Sequence, residues 1–87
     1  GSGYDKHMKN GKKAEDSGDL ITALKEYNAA VEAKSGDYSA TQSVKRVKPD
    51  AEKKYIENIK AELDNEDCGK VKSMIAEMIE TVGYDPS

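Results

Sequence analysis

Apolar residues recur at steps of three and four along most of the chain, which is the spacing of one face of an α-helix. Four helical segments are predicted from this pattern, at about residues 5–17, 19–34, 49–64 and 68–82. The clearest apolar stripe runs from Leu20 to Ala33, and the last segment carries another from Val71 to Val82. No stretch alternates apolar and polar residues for long enough to predict a strand. We therefore predict an all-α fold of four helices.

Turn and capping residues separate the predicted helices. Gly18 and Gly36 are of the residue type that ends helices in the left-handed conformation, and Asp19 suits the N-cap of the second helix. The acidic run 64–67 ends the third helix and supplies capping carboxylates for the fourth, which Gly83 closes. Because the connection within the first and within the last helix pair is short, each pair is expected to form an antiparallel hairpin.

The segment 38–48 fits two interpretations. Val44 and Val47 suit a short helical turn, whereas the surrounding Tyr, Ser and Thr residues suit a loop equally well. Pro49 disfavours helical geometry at the residue before it and suits the first position of a helix. The third helix is therefore predicted to begin at Pro49, with a loop or a short helix before it.

Composition restricts the kind of core and the class of partner. The chain has 87 residues, enough for one domain, and it contains five Tyr but no Trp or Phe. Such a core suits closely packed helices better than a large aromatic-lined pocket. The net charge of −3 argues against a nucleic-acid partner, and no apolar run approaches the roughly 18–20 residues that span a bilayer. Cys68 is the only cysteine, so an intramolecular disulfide is excluded and the cellular compartment stays open.

Small residues in the first half of the chain would let two antiparallel helices pack at short range. Their spacing, with a tyrosine placed to fill the wedge towards the next helix, resembles the tetratricopeptide repeat (TPR), and residues 4–37 have its 34-residue length. The resemblance rests on six positions: Gly11, Gly18, Asp19, Ala23, Tyr27 and Ala30. The sequence departs from the family at four others: His7 replaces Trp, Asn10 replaces Leu, Ala14 replaces Tyr and Ser35 replaces Pro.

The resemblance implies a right-handed helical array of two antiparallel hairpins. Residues 4–37 would form the TPR-like hairpin, 38–48 a loop or short helix, and 49–84 a divergent second hairpin with large residues at the packing points. Residues 1–3 are interpreted as a disordered tag remnant and residues 85–87 as a tail. One repeat with a capping hairpin is short for such an array, so we expect the domain to belong to a larger protein.

The TPR family binds peptides or partner helices on a concave face built from the first helix of each hairpin, and the resemblance implies the same here. Carried over to this chain, the partner-binding face would comprise Asp5, Met8, Lys12, Glu15 and Asp16 of the first helix with Ile56, Lys60 and Leu63 of the third. The family's two-carboxylate clamp is not expected, because Met8 and Lys12 occupy the places of its Lys and Asn. A solvated helix face is the alternative interpretation of each residue.

These observations predict a non-enzymatic protein–protein interaction module that binds a peptide or helix of a partner. Two alternatives stay open. The chain could be a self-associating bundle whose stripe from Val71 to Val82 makes a homodimer, or a regulatory domain appended to an enzyme.

The sequence predicts no catalytic, cofactor or metal site. His7 is the only histidine, and no nucleophile with an orienting acid can be placed beside it. The acidic turn matches a Ca²⁺ loop poorly, since Cys68 and Ile75 occupy ligand positions. A basic cluster lacks the aromatic residues of a nucleic-acid surface, and its members are Lys45, Arg46, Lys48, Lys53 and Lys54.

Overall fold

The structure is a computed structural model that describes residues 2–85, with the backbone alone at Ser2. Four helices follow one another: α1 (Ser2–Asp16), α2 (Leu20–Ala33), α3 (Tyr38–Asp64) and α4 (Cys68–Val82). No strand occurs within this range, so the all-α fold class is confirmed. The outermost residues of the predicted tag remnant and tail, Gly1 and residues 86–87, lie outside the described part of the chain.

Each helix packs antiparallel on its predecessor. α1 lies against α2, α2 against α3 and α3 against α4, while α4 also touches α2. The amide of Asn28 in α2 donates to the carbonyl of Thr81 in α4 at 3.0 Å. The core between the helices consists mostly of small and aliphatic side chains: Ala14, Ala23, Leu24, Tyr27, Ala30, Val31, Ala40, Val44, Val47 and Ala51.

Small residues bring α1 and α2 together, as predicted. Ala23 and Ala30 are fully buried, and Gly11 lies directly against the ring of Tyr27. A Cβ atom at Gly11 would stand 2.6 Å from Cε1 of that ring, much closer than two carbon atoms can approach. The ring therefore occupies the volume that any side chain at position 11 would need.

The predicted capping carboxylates of α2 and α4 are confirmed, and α3 has a cap that was not predicted, Asp37. Asp19, Asp37 and Asp67 each precede a helix, and each accepts a hydrogen bond from the backbone N–H three residues later at 3.0–3.2 Å. Gly18 and Gly36 have φ angles of +85° and +80°, the left-handed conformation that ends α1 and α2. These caps fix both short connections in the first half of the chain.

The predicted start of the third helix at Pro49 is wrong. α3 begins at Tyr38 and runs for 27 residues with Pro49 in its interior, so residues 38–48 are the first part of this helix and not a loop. A proline inside a helix costs about 3 kcal/mol. The loss is offset because burial of a valine side chain gains about 1.5–3 kcal/mol, and both Val44 and Val47 are buried. One buried stripe continues through the proline: Ala40, Val44, Val47, Ala51 and Tyr55.

The first helix also begins earlier than predicted. Ser2 and Gly3 are helical, so the expected disorder of residues 1–3 and the expected start at Asp5 are both wrong for the described residues. Tyr4 holds this extra turn, because its hydroxyl donates to the Asp37 carboxylate at 2.6 Å. The ammonium group of Lys34 also lies over the Tyr4 ring, 5.1 Å from its centre.

The contact between Gly11 and Tyr27 predicts that Gly11→Ala destabilises the fold, although alanine favours helix by about 1 kcal/mol. Displacing the buried ring costs about 1–3 kcal/mol, so the net fall in the free energy of unfolding is expected to reach about 2 kcal/mol. Chemical denaturation measures this change. Gly69→Ala is the matched control, because the nearest atom to a Cβ there is 3.8 Å away. It should leave stability unchanged or raise it, and a gain at both positions would contradict the packing argument.

The interior position of Pro49 predicts that Pro49→Ala stabilises the fold. The substitution restores a backbone donor and removes the ring clash, so we expect a gain of about 1–3 kcal/mol in the free energy of unfolding. Pro49→Gly restores the same donor with a poorer helix former, and its gain should be smaller by about 1 kcal/mol. A loss of stability in both variants would show that α3 needs the proline.

Candidate functional site

A cleft of about 620 Å³ lies between α1 and α3, with the ring of Tyr27 from α2 at its base. We call it the α1–α3 cleft. Its lining comprises Met8, Lys9, Lys12, Glu15 and Asp16 from α1, Tyr27 from α2, and Ser43 and Arg46 from α3. The volume falls within the range of about 300–1,000 Å³ that is usual for ligand-binding clefts.

Glu15 joins the three helices at one end of the cleft. Its carboxylate accepts two hydrogen bonds from the guanidinium of Arg46, at 3.0 Å from Nε and 2.8 Å from Nη2. It also accepts one from the hydroxyl of Tyr27 at 2.8 Å. The Arg46 guanidinium lies over the Tyr27 ring, 5.9 Å from its centre. Two-point pairing of this kind fixes direction as well as distance, so this end of the cleft is held rigidly.

The ionisation of these groups follows from the same contacts. The hydrogen bonds from Arg46 hold the pKa of the Glu15 carboxyl below its ordinary value, so the carboxylate stays charged at neutral pH. Burial, reinforced by the bond to Glu15, raises the pKa of Tyr27 to about 12. In the second half of the chain, burial and a 2.6 Å bond to Glu77 likewise raise the pKa of Tyr55 to about 12.

The α1 wall of the cleft combines one apolar side chain with cations. Met8 is half-buried, packs against the core and lines the cleft. Lys12 makes a 3.8 Å ion pair with Asp16, but both side chains are well exposed and such pairs contribute little. Lys9 is exposed and forms no ion pair with any residue of the range 2–85. With Glu15 neutralised by Arg46, the accessible part of the wall is mildly basic.

The structure brings together some of the sequence-predicted site residues and separates the others. Met8, Lys12 and Glu15 line the α1–α3 cleft, and so does Asp16. Asp5 lies instead beside a second depression, which it shares with Tyr4 and Lys34.

The predicted α3 residues do not lie at the cleft. Ile56 is ten residues beyond Arg46, or about 15 Å along the helix, and Lys60 and Leu63 lie farther still. The expected placement is wrong because α3 begins at Tyr38 and not at Pro49. The part of α3 that faces α1 is therefore nearer the N-terminus of the helix than predicted. Ile56, Lys60 and Leu63 are exposed on the part of α3 that packs against α4.

Two cleft residues, Ser43 and Arg46, were absent from the predicted face. They are three residues apart on α3 and so share one side of the helix, a relation that appears once 38–48 is assigned as helical. The basic cluster to which Arg46 belongs is not a single surface. Lys48 donates to the carbonyl of Tyr84 at 3.1 Å, and Lys54 pairs with Glu57 at 3.8 Å within α3.

The remaining reactive side chains are engaged structurally or stand alone. His7 Nδ1 lies 2.9 Å from Glu26 Oε2, which links α1 to α2. Cys68 is a free, exposed thiol at the start of α4. Within residues 2–85 no group of three or more His, Cys, Asp or Glu side chains is arranged to hold a metal ion. No helix in the same range is long and apolar enough to cross a membrane.

Comparison with known proteins adds no family to this picture: no protein-family model, curated protein or solved structure matches the chain. The fold and the cleft define a class, a four-helix all-α domain with an open cleft between its first and third helices.

The buried tyrosines predict loss of stability in alkali. The pKa values of Tyr27 and Tyr55 are about 12 in the fold against 10.0 ordinarily. Their contribution is fully present below pH 10, and between about pH 10 and 12 only the unfolded chain releases the protons. The free energy of unfolding should then fall by about 1.4 kcal/mol per pH unit for each tyrosine. Denaturation at several pH values measures the slope. The Tyr27→Phe/Tyr55→Phe variant should show a flatter one, and equal slopes would contradict the assignment.

Proposed function

We propose that this domain is a protein–protein interaction module that binds a peptide or a helix of a partner in the α1–α3 cleft. The observation that carries the proposal is the composition of the cleft, in which the apolar Met8 lies beside the exposed cations Lys9 and Lys12. A small apolar anchor within a polar rim is a common form of protein interface.

The rigidity of the cleft supports this function. The joint of Glu15, Arg46 and Tyr27 fixes α1 relative to α3, so a partner would meet a preformed surface. Binding to a preformed surface avoids the entropy cost of ordering side chains on the module's own side.

We further propose that the module is TPR-like. The close packing of Gly11 on Tyr27, the buried Ala23 and Ala30 and the left-handed Gly18 support this relation for the first hairpin. In the TPR family the binding face is built from the first helices of successive hairpins. α1 and α3 would be the corresponding helices here, and they are the two that line the cleft.

The charge of the cleft favours a partner segment that carries an acidic side chain beside an apolar one. Lys9 and Lys12 stand one helical turn apart, with Met8 next to Lys9. Asp16, at the far end of the same wall, would disfavour a second acidic residue there. We therefore expect one acidic position in the partner, followed or preceded by an aliphatic or aromatic residue.

A random peptide library displayed on phage, selected against the full chain, tests the proposal. We expect selected peptides to combine an acidic with an apolar residue, and nuclear magnetic resonance shifts to concentrate at the cleft. Lys9→Glu/Lys12→Glu should weaken binding by about tenfold or more through like-charge repulsion, and Met8→Glu should do the same by removing the apolar contact.

The matched control is Lys53→Glu/Lys60→Glu, which makes the same charge change on exposed positions of α3 away from the cleft. It should leave the affinity for the selected peptides unchanged. Equal losses of affinity in both double variants would show that the effect comes from net charge alone. Peptide binding that survives all cleft variants would overturn the proposal.

A further inference from the structure

Large apolar side chains remain exposed on the hairpin of α3 and α4. Ile56 and Leu63 of α3 are 41% and 55% exposed, and Ile75 and Ile79 of α4 are 38% and 65% exposed. Together they account for four of the five exposed large hydrophobic residues of the described chain; the fifth, Tyr38, lies at the far end of α3. Such clustering marks an interaction surface more often than scattered exposure does.

The exposed residues of α4 lie on the side of the hairpin away from α2. Glu77 pairs with Lys25 of α2, and the Thr81 carbonyl accepts from Asn28 of α2, so this side of α4 faces α2. Since successive residues turn by about 100°, Ile75 and Ile79 point away from these contacts.

The exposed residues of α3 lie on the same side. Tyr55 is buried and bonds Glu77, whereas Ile56 is turned by about 100° from it, and Leu63 returns to nearly the direction of Ile56. Val47 and Ala51 are buried in the core, and they lie on the opposite side of α3 from Ile56 and Leu63. We call the shared surface of Ile56, Leu63, Ile75 and Ile79 the outer face.

The register of the hairpin fixes which positions of the outer face lie level. Three contacts define the register: Lys48 with Tyr84, Tyr55 with Glu77, and Glu62 with Lys70. Each step of seven residues forward along α3 therefore corresponds to a step of seven residues backward along the chain in α4. The same register places Lys60 level with Lys72 and Ile56 level with Ala76.

Charge is distributed unequally along the outer face. Glu52, Ile56 and Lys60 follow one another at intervals of four residues on α3, which puts an acid one turn before the central isoleucine and a base one turn after it. Lys72 of α4 adds a second base at the Lys60 end. None of these three charged residues forms an ion pair with another residue of the range 2–85.

We propose that the outer face binds a second copy of this chain in an antiparallel two-fold dimer whose axis passes at the level of Ile56. In that arrangement the two Ile56 side chains meet, and the Glu52 end of each copy lies over the Lys60 end of the other. The sequence Glu52–Ile56–Lys60 is self-complementary only when reversed, so a parallel arrangement would oppose acid to acid and base to base. The row of Glu52, Ile56 and Lys60 therefore matches its reversed copy in apolar content and in charge. Lys53, which is exposed beside Glu52 and points in nearly the same direction as Lys60, is a like charge that this arrangement brings towards Lys60 of the other copy.

The size of the outer face limits the strength of the dimer. α4 has 15 residues, and two helices side by side cover a face of about 22 by 20 Å, or roughly 440 Å². Stable interfaces bury about 800 Å² on each partner. We therefore expect self-association with a dissociation constant above about 1 µM.

Sedimentation equilibrium of the full chain over about 10 µM to 1 mM tests the proposal, since this range brackets the expected constant. The wild type should pass from monomer to dimer, and Ile56→Glu should remain monomeric. Tyr38→Glu is the matched control, because it introduces the same charge at an exposed hydrophobic residue (76% exposed) outside the outer face. A wild type that is monomeric throughout, or equal effects of both variants, would overturn the proposal. Far-ultraviolet circular dichroism checks that each variant is folded.

Charge exchange tests the antiparallel arrangement. Glu52→Lys and Lys60→Glu should each weaken self-association by about tenfold or more, because each places like charges opposite one another. The double variant Glu52→Lys/Lys60→Glu restores complementarity and should dimerise like the wild type. Mixing the two single variants should give a heterodimer. If neither single substitution changes self-association, or if the double variant stays monomeric, the antiparallel dimer is wrong. Peptide binding in the α1–α3 cleft uses other residues and is expected to survive all of these substitutions.

Discussion

The ring of Tyr27 occupies the point where α1, α2 and α3 come together, and the arrangement of these helices depends on it. On one side the ring fills the space left by the missing side chain of Gly11. At its end the hydroxyl donates to Glu15, and the guanidinium of Arg46 lies over its face. A single residue of α2 thus positions α1 by packing and α3 through a charged hydrogen-bonded joint. The core has no Trp or Phe, and Tyr27 is among its largest fully buried side chains.

α3 is the second constraint, because it is long enough to serve both halves of the domain. Its first part packs on α2 and faces the cleft, and its last part pairs with α4 through Tyr55 and Glu62. Nothing separates the two parts except Pro49, whose local penalty is exceeded by the burial of Val44 and Val47 around it. The chain therefore folds as a continuous array rather than as two hairpins joined by a linker.

The sequence predicts those features of the fold that depend on local chemistry. The apolar stripe of α2, the capping carboxylates of Asp19 and Asp67 and the left-handed Gly18 depend on residues near one another in the sequence, and each is found as expected. The helix α4 forms where it was predicted, but Ile75 and Ile79 of its apolar stripe are exposed. Residues 38–48 are predicted from the sequence only as a loop or a short helix, because their buried stripe consists of small or weakly helix-forming residues, which local propensity does not distinguish from a loop. What makes them helical is burial against α2, a tertiary effect.

The candidate site likewise has one wall that local sequence predicts and one wall that depends on tertiary structure. Its α1 wall follows from the stripe of one helix, so Met8, Lys12 and Glu15 could be placed together from the sequence. Its α3 wall depends on where α3 begins relative to α1, and an error of 11 residues moved the expected wall by about 16 Å. The residues misplaced in this way, Ile56 and Leu63, proved to belong to the outer face. A helix start that is wrong by three turns thus transfers residues between surfaces without altering the fold class.

The two surfaces differ in the physical term that would drive binding. The α1–α3 cleft is stiff and charged, with Glu15 and Arg46 already paired, so its selectivity would come from the few groups left free, such as Lys9. The outer face is apolar at its centre, and its row of Glu52, Ile56 and Lys60 is arranged to match a reversed copy. Because α1 packs on α2 while α4 contacts α2 and α3, a dimer through the outer face would leave both clefts open. Two copies would then present two equivalent clefts to one partner, and for a partner with two binding segments the second contact would form at a high effective concentration. Weak self-association and weak peptide binding would in that case reinforce each other, although neither surface is large enough for tight binding alone.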